Sequence, residues 1–323
     1  MSPANAKLLN EIHRLKNASY ERCLWHTMTC TGAPIRAHAI QNSRALESLA
    51  QDGHVVMFKP ELRGTEFGIP FQLVGRNLAT TFAGLCSEHD TLLFLPIDTN
   101  EIEPANAEHR FLVAYRAVLK GLHSALSSAQ MVQLTLQKGV ELGHFAEDGP
   151  EARLAATKFI AGMQMFGVAQ CFHHIYTTKG WDSLPSATLQ IPTPSPTLAA
   201  SGVCLPVEAI PMLRANKKSL PFLVFSIFPQ GHSLYVQFSW LPPAEAVMRR
   251  SIDGIVTACG DHQFYLLSKF ILKYTETFTL RPSVYASFTK QQVEEMTRYF
   301  VANGTGERAE WDDPKLYLFG PVS

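Results

Sequence analysis

Cys86-Ser87-Glu88-His89 puts two metal-binding side chains two residues apart, a spacing tight enough for both to reach one ion. The pair follows Gly84 at the expected first turn of a helix, where the helix N-terminus favours a thiolate. Zinc takes four such donors in a tetrahedron, usually as two close pairs that the fold brings together. Upstream, Cys23 and Cys30 are the candidates for the second pair. Their separation is wider than usual, and His26 lies between them and could replace either. The turn Thr31-Gly32-Ala33-Pro34 follows at once. Cys23, Cys30, Cys86 and His89 are therefore the predicted ligands of a structural Zn2+, with the exchange for His26 left open. Cys171, Cys204 and Cys259 have no partner at ligand spacing and read as small core residues.

Between the two pairs lies Ile35-Arg36-Ala37-His38-Ala39-Ile40-Gln41-Asn42-Ser43, an apolar-flanked histidine shortly after the knuckle. Over about residues 23–94 the pattern resembles the HNH (His-Me finger) nucleases, which are built on a treble clef. That resemblance implies His38 as the general base, Asn77 as the orienting amide and Asp90 as a ligand of Mg2+ or Mn2+ at the scissile phosphate. A histidine suits the role because it accepts a proton near neutral pH. The departures are specific. Ala37 stands before the histidine, Gln41 replaces the expected proline, Asn77 lies far from Cys86, and Phe94 falls where a ligating histidine is expected. A scaffold kept without its chemistry is the other reading, with His38 hydrogen-bonded to the zinc loop. The runs 35–43, 52–56, 81–90 and 93–98, with Ala114-Tyr115-Arg116 and the stretch from Tyr274 to Pro282, also resemble a bacterial family of unassigned function. That likeness implies no activity.

These residues need elements to position them. His54 to Phe58 alternates as a strand, Gly64 to Gly75 reads as a loop or loose hairpin, and Ser87 to Phe94 as a short helix stopped by Pro96. An amphipathic helix is expected over Ala4 to Tyr20. Phe111, Leu112, Tyr115, Val118, Leu119, Leu122 and Leu126 recur at helical spacing within Glu108 to Lys138. Glu151 to Thr177 gives a second long helix, so an antiparallel helical pair is expected. Leu184 to Pro196 carries Pro185, Pro192, Pro194 and Pro196 and reads as a linker. Beyond it, Phe222 to Phe228 and Ser233 to Trp240 form a hairpin pattern, followed by helices over Ala244 to Cys259, Gln263 to Tyr274 and Gln291 to Ala302. The predicted class is α+β: a zinc-stapled treble-clef-like module (1–100), a helical region (101–183), a Pro-rich linker (184–200) and a C-terminal α+β region (201–323).

The 323 residues balance 28 Lys plus Arg against 28 Asp plus Glu, so no strong global field draws the chain to nucleic acid. The longest apolar runs fall short of the roughly 20 residues that span a bilayer, and a cytoplasmic protein without membrane partners is expected. His173-His174 on a helix point about 100° apart and read as packing. Arg249-Arg250 with Lys217-Lys218 could form a phosphate patch. Phosphate-loop, dinucleotide-binding and nucleophile-elbow sequences are absent. Three functions follow. The first is a zinc-stabilised binding or sensor protein that contacts nucleic acid, with a role in bacterial defence suggested by fold analogy alone. The second is a metal-dependent HNH-like endonuclease. The third is a zinc-stapled subunit that meets a protein partner or its own copies through the long helices.

Overall fold

The computed structural model describes Leu15 and residues 19–25, 29–59, 61–63, 66–216, 219–304 and 310–320. The helix expected over Ala4 to Tyr20, the alternative ligand His26 and the Lys217-Lys218 pair lie outside them or nearly so. The fold is α+β. The chain divides into two compact units: residues 1–37, 82–93 and 118–179, and residues 38–81, 94–117 and 180–323. The expected boundaries at 100, 183 and 200 all fall inside the second unit, because strands from the first third of the sequence belong to the same sheet as the last third.

In the first unit, strand β1 (Pro34–His38) pairs with a strand over Thr81–Cys86. The chain between them carries β2 (His54–Phe58), β3 (Glu61–Arg63), β4 (Glu66–Gly68) and β5 (Phe71–Gly75), so the partner of β1 is β6. The hairpin expected loosely over 64–75 is thus split between the small β3–β4 pair and β5. Helix α1 (Ser87–Thr99) follows β6 directly. It runs through Pro96, which was expected to stop it. Leu92, whose carbonyl loses its donor to the proline, is exposed, so water can replace that bond. The final carbonyls are capped: Gln41 Nε2 donates to Ile97 O and Asp98 O at 2.9 and 3.2 Å, and Arg44 donates to Thr99 O at 2.8 Å.

Helices α2 (Ala107–Glu141) and α3 (Pro150–Thr178) form the long hairpin. Asn106 accepts the His109 N–H at the head of α2, a side-chain N-cap. Pro150 opens α3, where its missing N–H costs nothing, and Lys179 closes it with φ 53°. Gly162 of α3 faces the Leu126 side chain and Ala125 carbonyl of α2, with 3.5 and 3.9 Å available to an added Cβ. Small residues there let the two backbones approach.

The second unit is built on an antiparallel sheet. Its strands are β5, β2, β7 (Ser186–Pro192), β8 (Leu198–Cys204), β9 (Leu223–Gln230), β10 (Ser233–Trp240) and β11 (Phe278–Leu280), in the order β5-β2-β11-β8-β9-β10-β7. The supposed linker is therefore edge strand β7, paired with β10 from Ser186↔Ser239 to Pro192↔Ser233. An edge tolerates proline because one row of backbone groups needs no partner. One face of the sheet, with Leu198, Phe225, Val236, Phe238 and Trp240, packs on α4 (Glu245–Thr257), α5 (Gly260–Tyr274) and α6 (Lys290–Gly304). The opposite face buries polar side chains, three of which are linked on β10. Tyr235 donates to Gln237 Oε1 at 2.7 Å, and Gln237 Nε2 donates to Arg110 O at 2.7 Å and Ser239 Oγ at 2.9 Å. Both faces being covered explains why β9 and β10 are buried almost throughout.

Candidate metal centre

The four predicted ligands meet. One donor atom from each of Cys23, Cys30, Cys86 and His89 lies within 4.8 Å of every other. Cys86 ends β6 and His89 stands in the first turn of α1, so the strand-to-helix junction sets their spacing. The first pair is held against the same strand: Leu24 N donates to Gly84 O at 2.7 Å, and Cys86 N donates to Cys23 Sγ at 3.4 Å. The wide Cys23–Cys30 spacing is accommodated because Cys23 is positioned by β6 and Cys30 by its own turn. Gly32 N donates to Cys30 Sγ at 3.3 Å. An added Cβ on Gly32 would lie 2.9 Å from Cys86 Cβ and 3.1 Å from its sulfur, which restricts this position to glycine.

The donor set can be tested against an ion by its edges. With metal–sulfur and metal–nitrogen bonds of about 2.3 and 2.0 Å, a tetrahedron has edges of about 3.8 Å between sulfurs and about 3.5 Å from sulfur to nitrogen. Cys30 Sγ and Cys86 Sγ are 3.8 Å apart. His89 Nδ1 is 3.4 Å from Cys23 Sγ and 3.2 Å from Cys86 Sγ. The sulfurs are far from the roughly 2.0 Å of a disulfide. Three thiols and an imidazole at these separations are consistent with a structural metal such as zinc.

Electrostatics differ between the thiols. Burial pushes the Cys23 thiol up to about 11, against the backbone donors of Cys86 and Trp25. Burial also acts on Cys86, but the N–H groups of His89 and Glu88 at the head of α1 and the neighbouring Cys30 and Cys23 hold it below its ordinary value. A bound cation would take up the remaining cost by displacing the Cys23 proton. The ring of Trp25 stacks on His89 at 4.4 Å and 9°, and His173 and Tyr176 of α3 meet that indole edge-on at 5.1 and 5.8 Å. His173 is buried and His174 exposed, which gives the expected packing role to the first alone. The sequence reading missed Trp25 and saw Gly32 only as part of a turn, although both fall two residues after a candidate cysteine. Cys204 is a core residue, Cys171 is half-buried, and Cys259 is exposed, so for Cys259 the core assignment is corrected.

The residues drawn from the nuclease resemblance are distributed differently. His38 ends β1, half-buried, with Nδ1 3.0 Å from Ala79 O. That carbonyl accepts a hydrogen bond from Nδ1–H, which leaves Nε2 as the basic nitrogen of the neutral ring. Burial lowers the His38 pKa, with Arg116 and Arg76 acting the same way. Asn77 accepts a hydrogen bond from Asn42 Nδ2 at 3.0 Å. Asp90 stands in the first turn of α1 and belongs to the unit that holds the cysteines, whereas His38 and Asn77 belong to the other. Phe94 is fully buried, with the Arg116 guanidinium 4.2 Å from its ring centre. Arg116 grips Asp98 through two bonds of 2.8 and 2.7 Å. The carboxylate contributing to the electrostatics at His38 is therefore Asp98, two turns beyond Asp90. A cavity of about 30 Å³ lined by Gln41, Arg116, Ser201, Ser226 and Phe228 has room for one or two water molecules, not for a substrate. Arg249 is paired with Glu245 at 2.8 Å and lies over Trp240, committed within its own helix and strand.

No described helix is long and apolar enough to cross a membrane. No family model, no curated protein and no solved structure matches the chain.

Proposed function

We propose that the protein is a zinc-stapled, nucleic-acid-binding module in which the metal is structural. One observation carries this: four protein donors, three of them sulfur, lie within 4.8 Å of one another, with three of the separations close to tetrahedral edges. Structural zinc sites are closed in this way, while catalytic ones keep a position for water. The order of knuckle, two-stranded ribbon and ligand-bearing helix is that of a treble clef. In this reading zinc fixes the exposed segment Thr31 to Arg36 for contact with a phosphate backbone.

The endonuclease alternative draws support from His38, whose neutral ring keeps Nε2 basic. It is disfavoured by Phe94, which is apolar and sealed beneath Arg116, and by Asn77, which is engaged with Asn42. Protein purified without chelator is expected to carry one zinc per chain. It should bind labelled oligonucleotides with an affinity that falls steeply between about 50 and 200 mM salt, and Mg2+ or Mn2+ should produce no cleavage. Absence of binding at low salt would overturn the proposal. Metal-dependent cleavage lost in His38→Ala, with zinc content intact, would establish the nuclease reading instead.

A further inference from the structure

We infer that the groove beside the metal knuckle seats a polynucleotide backbone through its phosphates, without reading its bases. This rests on the nucleic-acid reading above and assigns it a surface. The groove encloses about 740 Å³ and is bounded by Glu21 and Arg22, by the turn from Thr29 to Pro34, and by Arg36 and Ala83 on the two strands of the ribbon. Arg36 shares a strand face with Pro34 by the two-residue alternation of β1, so the two lie on the same side of the ribbon.

Arg22 and Arg36 are both exposed, and neither makes an ion pair or hydrogen bond among the described residues. Several other arginines are committed, Arg44 to a carbonyl, Arg76 to Glu47, Arg116 to Asp98, Arg249 to Glu245 and Arg298 to Glu295, and Arg214, Arg250 and Arg281, which are not, lie outside the groove lining. Two uncommitted guanidiniums across one concave surface suit a chain of phosphates, which each can grip with a planar fork of donors. The Thr31 hydroxyl adds a further donor of the kind that contacts phosphate and sugar. Glu21 is the one acidic residue in the lining.

What the lining lacks defines the mode of binding. Among the described residues it holds no Asn, Gln or aromatic side chain, and these are the groups that recognise base edges or stack on bases. Phosphate contacts alone position a strand and carry no sequence information. A bound metal would tie the groove down through Cys30. Cys30 is one of its walls and a ligand of the cluster, and its sulfur accepts the Gly32 N–H. The concave turn is thus set before the polynucleotide arrives.

The test compares zinc-loaded wild type with Arg22→Ala/Arg36→Ala, using two fluorescent oligonucleotides of unrelated sequence over a salt series. The double variant should lose at least tenfold in affinity at low salt, equally for both sequences. Its slope of log affinity against log salt should become shallower by about 1.4 to 1.8, the loss of two phosphate contacts. Arg22→Lys/Arg36→Lys should keep most of the slope, and Glu21→Gln should tighten binding. Wild type that binds while the alanine pair, still holding one zinc, keeps the same affinity and slope would overturn the groove and leave the function standing. Wild type that binds neither oligonucleotide would overturn the function itself.

Discussion

The ribbon that carries the cysteines and the sheet of the second unit solve the same problem with different means. Strands β1 and β6 are two short strands, and β1 leaves Ile35 and Arg36 exposed side by side. A two-stranded ribbon of that kind is marginal in water. Its fixation falls to the junction of Cys23, Cys30, Cys86 and His89, with N–H···S bonds and the Trp25 ring in support. The sheet buries Trp240, Phe225, Phe238 and Phe278 almost completely and needs no cross-link. The difference teaches where to look for metal dependence: at the place where short strands and exposed turns leave too little apolar surface to hold a defined shape.

The contrast can be broken most directly at Cys86. Cys86→Ser, or removal of metal by a strong chelator, is expected to abolish stoichiometric zinc binding and to melt the ribbon. Structural zinc contributes on the order of 10 kcal/mol in small zinc-dependent folds, so this is the largest effect foreseen. Hydrogen exchange should accelerate over residues 29–38 and 81–89, while β8, β9 and β10 stay protected. Equal deprotection of the sheet would remove the distinction between the two regions.

A smaller effect is expected from a change confined to the second unit. Arg116 is buried and its guanidinium is paired with Asp98, which is partly open to solvent. Asp98→Ala leaves that cation without its partner and should cost about 3 kcal/mol, the lower end for breaking a buried pair. Urea unfolding would measure it, and zinc content should stay at one per chain. A loss of zinc in this variant would mean that the two regions are not independent.

The smallest effect is a pH dependence of the first unit. His123 is buried on α2, with Nε2 3.1 Å from Ser19 Oγ. Burial lowers its pKa to about 4, with the Lys120 charge acting in the same direction. The folded state therefore binds this proton less readily than the unfolded chain. The contribution is complete above about pH 6.5 and is lost as pH falls towards 4. Allowing for solvent screening, it amounts to about 2 kcal/mol. The difference between wild type and His123→Leu in denaturant midpoint, followed from pH 7 to 5, isolates it from acid release of the metal. A difference that does not change with pH would show that His123 takes up its proton as readily in the fold as in the unfolded chain.

The metal donors and the long helices were legible because each is a local signal. Cys86 and His89 declare themselves by spacing, and α2 by the recurrence from Phe111 to Leu122. The misread places depend on distant partners. The proline-rich segment looked like a linker because an edge strand without strong alternation resembles one until β10 lies beside it. Pro96 looked like a stop because Gln41 and Arg44, which cap the helix beyond it, come from a segment far upstream. Trp25 could be noticed in sequence, but only the arrival of His89 gives its ring a face to cover. Asp98 escaped for a related reason: its partner, Arg116, lies on the next helix.

The pairing of Val56 with Leu280 in β2 and β11 has a bearing on how the chain comes into being. On the ribosome, β2 and β5 emerge early and can pair with one another, but the strand that joins them to β8 arrives much later. Until then β2 presents an unsatisfied edge to every neighbouring nascent chain, and the late closure of such non-local contacts slows folding. The cysteine cluster has no such wait, since all its ligands have been made by residue 89. Maturation is thus staggered along the chain, with an interval in which the half-built sheet is the segment most in need of chaperone cover.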